Sequence, residues 1–214
     1  MSPSRPVAPV RSPRTTSPAT AAARGALAAE LRRDARILGG ALVVAWGVLV
    51  ADAMLFGGAL VSYGIVPRTL VGLRGILAAP FLHGGAGHLV ANSVGFVLLG
   101  GLVLLRRPRD FWLVTLAGVL IGGFGTWAIG ARGLHIGASG VVFAYLGYLL
   151  TTGLFERKPG AILLSLVAAS AWGGLVLGML PGAPGISWEG HVAGFASGVM
   201  AARSIARGRR TSGR

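Results

Sequence analysis

The sequence contains no cysteine and few charged residues. Of its 214 residues 12% are charged, and only six are acidic against 20 that are basic. The absence of cysteine excludes disulfides, thiolate metal ligands and a cysteine nucleophile. A soluble domain of this length would carry about twice this share of charged residues. The composition therefore argues against a soluble protein.

Apolar residues take the place of the missing charges. They make up 53% of the chain, and the mean hydropathy is +0.71. They come in blocks of about 20 residues, the length that crosses a bilayer as a helix. The six blocks are 37–56, 88–105, 111–130, 137–155, 160–180 and 189–206. The pattern predicts an all-α polytopic membrane protein with six transmembrane helices.

The basic residues are unevenly distributed between the loops. All but three of the 20 lie before the first block, in alternate loops or after the last block; the exceptions are Arg68, Arg74 and Arg132. This asymmetry predicts six spans with both termini in the cytoplasm. The net charge of +14 is then explained by topology and by contact with anionic lipid, so no nucleic-acid partner is expected. Arginine outnumbers lysine 19 to 1, which is typical of a GC-rich bacterial genome and favours the plasma (inner) membrane.

The regions outside the blocks have different characters. Residues 1–36 predict a disordered basic tail, with 25–36 compatible with a short interfacial helix, and 207–214 predict a second basic tail. The membrane domain is then 37–206. The segment 57–87 is rich in glycine and proline and predicts an ordered loop at the membrane interface.

A few polar side chains inside the blocks need an explanation, because such groups are costly in a bilayer. His88 and Asn92 are four residues apart and share one helix face. Ser139 lies near the start of the fourth block and His191 near the start of the sixth. Since the second, fourth and sixth blocks all begin on the outer side, these four residues should lie at similar depth.

These residue types suit nucleophilic catalysis. A serine hydroxyl needs a base to take its proton, and a neutral histidine can be that base. The backbone N–H of Ser139 at a helix N-terminus, with His88 and Asn92, could stabilise an oxyanion. Gly137 and Gly140 flank the serine and predict a tight backbone turn there. Glu189 lies two residues before His191 and should point elsewhere on a helix.

Three motifs together resemble the rhomboid intramembrane serine proteases of the bacterial six-helix type. They are FLHGGAGHLVAN, which contains His83, His88 and Asn92, then GASG at 137–140, and GHVAG with His191. Residues 63–83 are also similar to the first loop of that family. The resemblance covers roughly 37–206. It implies an enzyme that cleaves transmembrane protein substrates near their outer ends without a metal or cofactor.

The resemblance assigns roles to individual residues. It implies that Ser139 is the nucleophile, that His191 is its base, and that His88, Asn92 and the Ser139 N–H form the oxyanion hole. It further implies supporting roles for residues around them, which are His83 beside the loop and a water, Gly194 where helix six approaches helix four, and Phe143 against the catalytic histidine. Many members have tyrosine at the position of Phe143, so stacking survives here without a hydroxyl.

Several alternatives compete with this interpretation. Ser139 alone would be a helix-packing serine, and a channel or transporter would also hold polar groups in its spans. A rhomboid-like protein that binds transmembrane helices without cleaving them is the main alternative function. No metal site is expected, because there is no HExxH-type pairing and no carboxylate cluster. His135 and Asp52 receive no role, and the oligomeric state is not predicted.

Overall fold

The computed structural model describes residues 18–182 and 185–212 and is helical throughout that part of the chain. Within it, no strand forms, and the one strand-like contact is an isolated antiparallel bridge between Ile65 and His135. The long helices are α1 Pro18–Leu55, α2 Ala86–Arg106, α3 Pro108–Ile129, α4 Ser139–Glu156, α5 Pro159–Met179 and α6 Trp188–Thr211. The predicted all-α polytopic architecture is therefore confirmed.

Three of these helices contain irregular turns. A π-helical turn interrupts α2 at Phe96–Gly100, and a second interrupts α3 at Gly118–Gly122. The last part of α5, Gly173–Met179, is a 3₁₀-helix. These tighter or wider turns change which side chains face the neighbouring helices, and such turns often lie next to functional sites.

The predicted tails differ from the structure mainly at 18–24, which are helical rather than disordered, whereas a helix at 25–36 was compatible with the sequence. Residues 18–36 are helical and continue into the first membrane helix, because alanine, leucine, arginine and glutamate in this stretch all favour helix. The chain forms separate compact units up to Arg33 and from Asp34 onward. Helix α6 continues to Thr211, so 207–211 are helical as well. Residues 1–17 and 213–214 of the predicted tails lie outside the described residues.

Four of the helices, α1, α2, α3 and α5, are long and apolar enough to cross a membrane. Helix α4 differs because it is the central helix, with eleven of its 18 residues buried by other helices. It therefore tolerates fully buried polar residues such as Tyr145, Tyr148 and Thr152. Helix α6 packs along α4 and carries arginines in its last turns. The helices that hold the predicted serine and histidine thus pack against each other over much of their length.

The segment between α1 and α2 is an ordered loop, as the sequence predicts. It contains 3₁₀ turns and a short helix at Gly75–Ala78. The buried carboxylate of Asp52 accepts a hydrogen bond from the Leu60 N–H at 2.8 Å, which holds the start of the loop against the end of α1. Apolar side chains on its outer surface are exposed, namely Leu70, Val71, Leu77 and Phe81. This surface suits the interfacial region of a bilayer.

Helices α4 and α6 approach each other backbone to backbone. A methyl group on Gly194 would overlap the carbonyl oxygen of Gly140, and one on Gly198 would overlap that of Ala144. A methyl group on Gly147 of α4 would likewise overlap Phe195 of α6. Small residues permit such close approach in membranes, where packing rather than the hydrophobic effect holds helices together. The glycines therefore set the distance between the two helices.

A buried polar network joins four helices at the arginine-rich end of the bundle. Arg209 of α6 lies 2.5 Å from both Asp110 of α3 and Glu156 of α4, and Arg106 of α2 lies 2.8 Å from Glu156. Tyr148 donates a hydrogen bond to Asp110 at 2.5 Å. Two arginines neutralise two carboxylates, as buried charges require. In the sequence, Arg106 and Arg209 served only to predict the orientation of the helices in the membrane. Nothing in the sequence pattern indicated their carboxylate partners.

The glycine contacts generate a test of stability. We expect Gly198→Ala to lower the free energy of unfolding by about 1–3 kcal/mol, the usual cost of overpacking, because its methyl group would meet a backbone carbonyl. Thermal unfolding in detergent measures the change. Gly208→Ala on the same helix is the matched control, since nothing lies within 4 Å of a methyl group there. Equal stability of the two variants would contradict the close-contact interpretation.

Candidate active site

One cavity brings the main predicted site residues together. Its wall includes His88 and Asn92 of α2, Ser139 and Phe143 of α4, and His191 of α6. These side chains come from three helices that are far apart in sequence. The residues that the sequence assigns to one depth therefore line one cavity in the fold.

His191 is held in a defined orientation by two contacts. The ring of Phe143 stacks on it with 4.0 Å between ring centroids and 10° between planes. Its Nδ1 lies 2.8 Å from the carbonyl oxygen of Gly178, in the 3₁₀ part of α5. A carbonyl only accepts hydrogen bonds, so Nδ1 carries the proton. In the neutral ring, Nε2 then keeps a free lone pair and can act as a base.

Glu189 does not orient this histidine, in agreement with the sequence. Its buried carboxylate accepts a hydrogen bond from the Ala131 N–H at 2.9 Å, on the loop before α4. The group that fixes the His191 tautomer is a backbone carbonyl rather than a carboxylate.

Ser139 is the first residue of α4 and lies two residues after a glycine with a positive φ, a conformation that glycine adopts without strain. Gly137 has φ +104°, and a methyl group there would lie 2.6 Å from His88 Nε2 and 3.0 Å from Asn92 Nδ2. The α2 face with His88 and Asn92 thus lies directly against the backbone that carries the serine. Within the described chain no hydrogen bond joins Ser139 to His191, as is common before a substrate tightens the geometry.

The tight turn forms at Gly137 alone, so the prediction for Gly140 was wrong in this respect. Gly140 lies inside α4, and the nearest atom to a methyl group there would be the Gly190 oxygen at 3.8 Å. Its importance lies in its carbonyl, against which Gly194 packs. Gly194 therefore occupies the helix contact that the sequence assigned to it.

His83 lies behind His88, outside the main cavity. Its side chain is buried, and the two imidazole rings meet edge to face with 5.1 Å between centroids. Burial, with a smaller contribution from the charge of His88, lowers the pKa of His83 to about 4. Both of its ring nitrogens, with Asn92 Nδ2 and Ser93 Oγ, lack a hydrogen-bond partner among the described residues. His83 is therefore a neutral, packed histidine at neutral pH.

The family model for the Rhomboid domain matches residues 71–208, and this range contains every cavity residue named above. The chain belongs to the rhomboid family. Among its relatives, this rhomboid is 37% identical over 184 residues to uncharacterized protein Rv1337 of Mycobacterium tuberculosis, covering 80% of this chain and 77% of that protein. It is 32% identical over 136 residues to RHOMBOID-like protein 4 of Arabidopsis thaliana, covering 58% of this chain and 32% of that protein.

Two features of this rhomboid site were missed by the sequence interpretation. His135 received no role, yet its Nδ1 lies 2.6 Å from Ser187 Oγ, and its Nε2 lies 3.0 Å from the Ala131 oxygen. Ser187 caps α6 by accepting from the Gly190 N–H at 3.2 Å. A serine before a helix is a recognisable capping signal, but its pairing with His135 requires the fold. The second feature, the carbonyl of Gly178, leaves no signal in the sequence.

Metal-ligating side chains are not clustered in the part of the chain that the structure describes, where no group of three or more histidine, aspartate, glutamate or cysteine side chains comes together. The polar groups of the cavity wall include the Ser139 hydroxyl, the imidazoles of His88, His135 and His191, and the Asn92 amide.

The depressed pKa of His83 predicts a pH dependence of stability. An unfolded His83 takes up a proton below its ordinary pKa of 6.5, whereas the folded one resists protonation down to about 4. The stability that His83 contributes is thus complete above about pH 6.5 and is lost as the pH falls towards 4. We expect His83→Gln to lose less stability than the wild type between pH 7 and pH 4, measured by thermal unfolding. Parallel losses in both proteins would contradict the assignment.

Proposed function

We propose that this rhomboid is an intramembrane serine endopeptidase that cleaves transmembrane protein substrates near their outer ends with a Ser139–His191 dyad. The observation that carries the proposal is a cavity whose wall contains both a serine at a helix start and a histidine whose Nδ1 is bound to a carbonyl, which leaves Nε2 as the base. Rhomboid domains are generally intramembrane serine proteases, which agrees with this chemistry.

The reaction begins with the two dyad residues. His191 Nε2 accepts the proton of Ser139 Oγ as the oxygen attacks the substrate carbonyl carbon. During this step the Nδ1–H of His191 keeps its hydrogen bond to the Gly178 carbonyl, and the stacked ring of Phe143 fixes the plane of the imidazole. The imidazole therefore does not have to reorient. His191 then protonates the leaving amine. A water molecule, activated by the same nitrogen, hydrolyses the acyl-enzyme.

The oxyanion of the tetrahedral intermediate needs donors that are already in place. The N–H of Ser139 lies at the start of α4, where the helix dipole favours negative charge. The Asn92 amide nitrogen is buried and has no partner among the described residues, so it is a donor free to bind the oxyanion. His88 Nε2 lies beside the same backbone turn. These three donors are the groups that we propose for the oxyanion hole.

The substrate class follows from the walls of the cavity. Beside the dyad, the cavity is lined by large apolar residues, Trp172, Leu175, Ile186 and Trp188. Such a wall suits an apolar peptide segment that leaves the bilayer and exposes its backbone near the membrane surface. The distribution of basic residues supports a cavity on the outer side of the membrane and both chain termini in the cytoplasm. The plasma membrane is the membrane that we propose.

The dyad is tested by cleavage of a model transmembrane substrate in liposomes. We expect Ser139→Ala and His191→Ala each to reduce the cleavage rate by at least about a thousandfold, as removal of a catalytic serine or its base does in serine proteases. Ser170→Ala is the matched control, because this exposed serine of α5 bonds only to its own helix at the Leu166 oxygen. Cleavage by Ser139→Ala at the wild-type rate would overturn the proposal.

Labelling with a fluorophosphonate separates catalysis from simple binding. The wild type and Ser170→Ala should be labelled on Ser139, whereas Ser139→Ala should not. If the wild type binds transmembrane peptides but neither cleaves them nor reacts with the probe, the alternative of a non-catalytic helix-binding rhomboid replaces this one.

The oxyanion hole makes a separate kinetic prediction. Asn92→Ala should lower kcat by about 10²–10³-fold, the usual cost of removing one oxyanion donor, with little change in KM. The neighbouring variant Ser93→Ala is the control. It removes a buried hydroxyl of the same helix that has no partner among the described residues, and it leaves all three proposed oxyanion donors in place. A rise in KM at unchanged kcat would show instead that Asn92 binds the substrate in its ground state.

A further inference from the structure

The end of the bundle opposite the catalytic cavity carries a cleft lined mainly by arginine. Arg203, Arg207 and Arg210 lie at intervals of four and three residues along α6, so they share one helix face. Arg157 at the end of α4 completes the group, and the remaining lining residues are Leu154, Phe155 and Ala206. We name this group of seven residues the arginine cleft.

The positive charge of the arginine cleft is not neutralised within the described part of the chain. The nearby buried carboxylates, Asp110 and Glu156, are already bound by Arg106 and Arg209. No carboxylate in residues 18–182 or 185–212 pairs with an arginine of the cleft. Four like charges around one small cleft repel each other, and a bound anion would relieve that repulsion.

Local backbone geometry holds the cleft in shape. Arg157 has φ 55°, a left-handed conformation that is unfavourable for a residue other than glycine, and its N–H donates to the Gly153 oxygen at 3.0 Å. Glycine would avoid this strain, so arginine at this position is maintained at a cost. The guanidinium of Arg210 donates a hydrogen bond to the Phe155 carbonyl. Three of the arginines thus belong to α6 and the fourth directly follows α4, so the backbone positions of all four are set by two packed helices.

The surroundings of the cleft are apolar. Leu154, which forms part of its wall, is 69% exposed, and α5 presents further exposed apolar side chains at Ile162, Leu163 and Leu166. In a membrane protein such a surface faces acyl chains. The cleft therefore lies where the apolar belt meets the charged end of the bundle, at the level of lipid headgroups.

We infer that the arginine cleft is a binding site for an anionic phospholipid. The headgroup phosphate contacts the guanidinium groups of Arg157, Arg203 and Arg207, and an acyl chain runs along Leu154. Arginine suits this role because its planar guanidinium binds phosphate oxygens through paired hydrogen bonds. A phospholipid carries a phosphate joined to acyl chains, so it can bind the arginines and the apolar wall of the cleft at the same time. A soluble anion would bind the arginines alone. The site is independent of the proposed peptidase activity.

A neighbouring groove allows a control variant that changes the net charge of the protein by the same amount. It lies between α3 and α6 and is lined by Arg107 and Arg109, but also by Asp110 with its partner Arg209. Its positive charge is therefore partly compensated. Removing Arg107 and Arg109 changes the net charge of the same end of the bundle as much as removing two arginines of the cleft.

The test measures lipid binding to the full-length protein in detergent by native mass spectrometry, with phosphatidylglycerol and phosphatidylcholine added separately. The wild type should bind phosphatidylglycerol preferentially. The double variant R203Q/R207Q should weaken this binding by about 30-fold, from about 1 kcal/mol for each arginine near a headgroup. R203K/R207K keeps both charges but loses the paired hydrogen bonds of the guanidinium, so its binding should lie between that of the wild type and that of R203Q/R207Q. Thermal unfolding of both double variants checks that they are folded.

Three results would overturn the inference. The first is an equal loss of phosphatidylglycerol binding in the control R107Q/R109Q, which would indicate general surface charge. The second is equal binding of phosphatidylcholine, which would show that the headgroup charge is not recognised. The third is displacement of the lipid by inorganic phosphate at matching concentration, which would identify a site for a free anion.

Discussion

The close contact between α4 and α6 is the constraint on which the rest of the structure depends. Gly194 and Gly198 bring the backbone of α6 against the carbonyl oxygens of Gly140 and Ala144. Ser139 lies one residue before the first of these contacts, and His191 lies three residues before Gly194. Any increase in the distance between the helices would therefore separate the serine from the histidine directly.

Different polar contacts hold the two ends of this helix pair. At one end, the loop before α4 is bound to the start of α6 through Glu189 with Ala131 and through His135 with Ser187. At the other end, Arg209 of α6 is bound to the buried carboxylate of Glu156 on α4. Polar contacts thus hold both ends of this helix pair, and between the ends the glycine contacts bring the two backbones together.

The orientation of His191 depends on α5, a helix with few residues buried against the other helices. Its Nδ1 proton is held by the carbonyl of Gly178 in α5, a helix in which only Ala161 and Ala168 are buried among the residues of its α-helical part. Because a backbone carbonyl cannot be replaced by mutation, the orientation of the base is linked to the position of α5. The space around Gly178 is also limited, since a methyl group there would lie 3.2 Å from the Phe143 ring and 3.5 Å from His191 Nδ1.

The sequence by itself determined the helical membrane architecture and the set of residues that share the cavity. Long apolar blocks admit few structures in a bilayer, and the alternation of basic loops orders the helix ends, so His88, Asn92, Ser139 and His191 could be assigned to one side. Helix ends were less predictable, because residues 18–36 form helix through local propensity that a tail-like composition conceals. Only the tertiary structure decided which groups orient the site. The Gly178 carbonyl is a backbone group, which every residue carries, so no residue type in the sequence indicates its role. His135 is paired with Ser187, and the carboxylates of Asp110 and Glu156 are paired with arginines, over separations of 50 to 99 residues along the chain. Such pairs come together only when the helices pack.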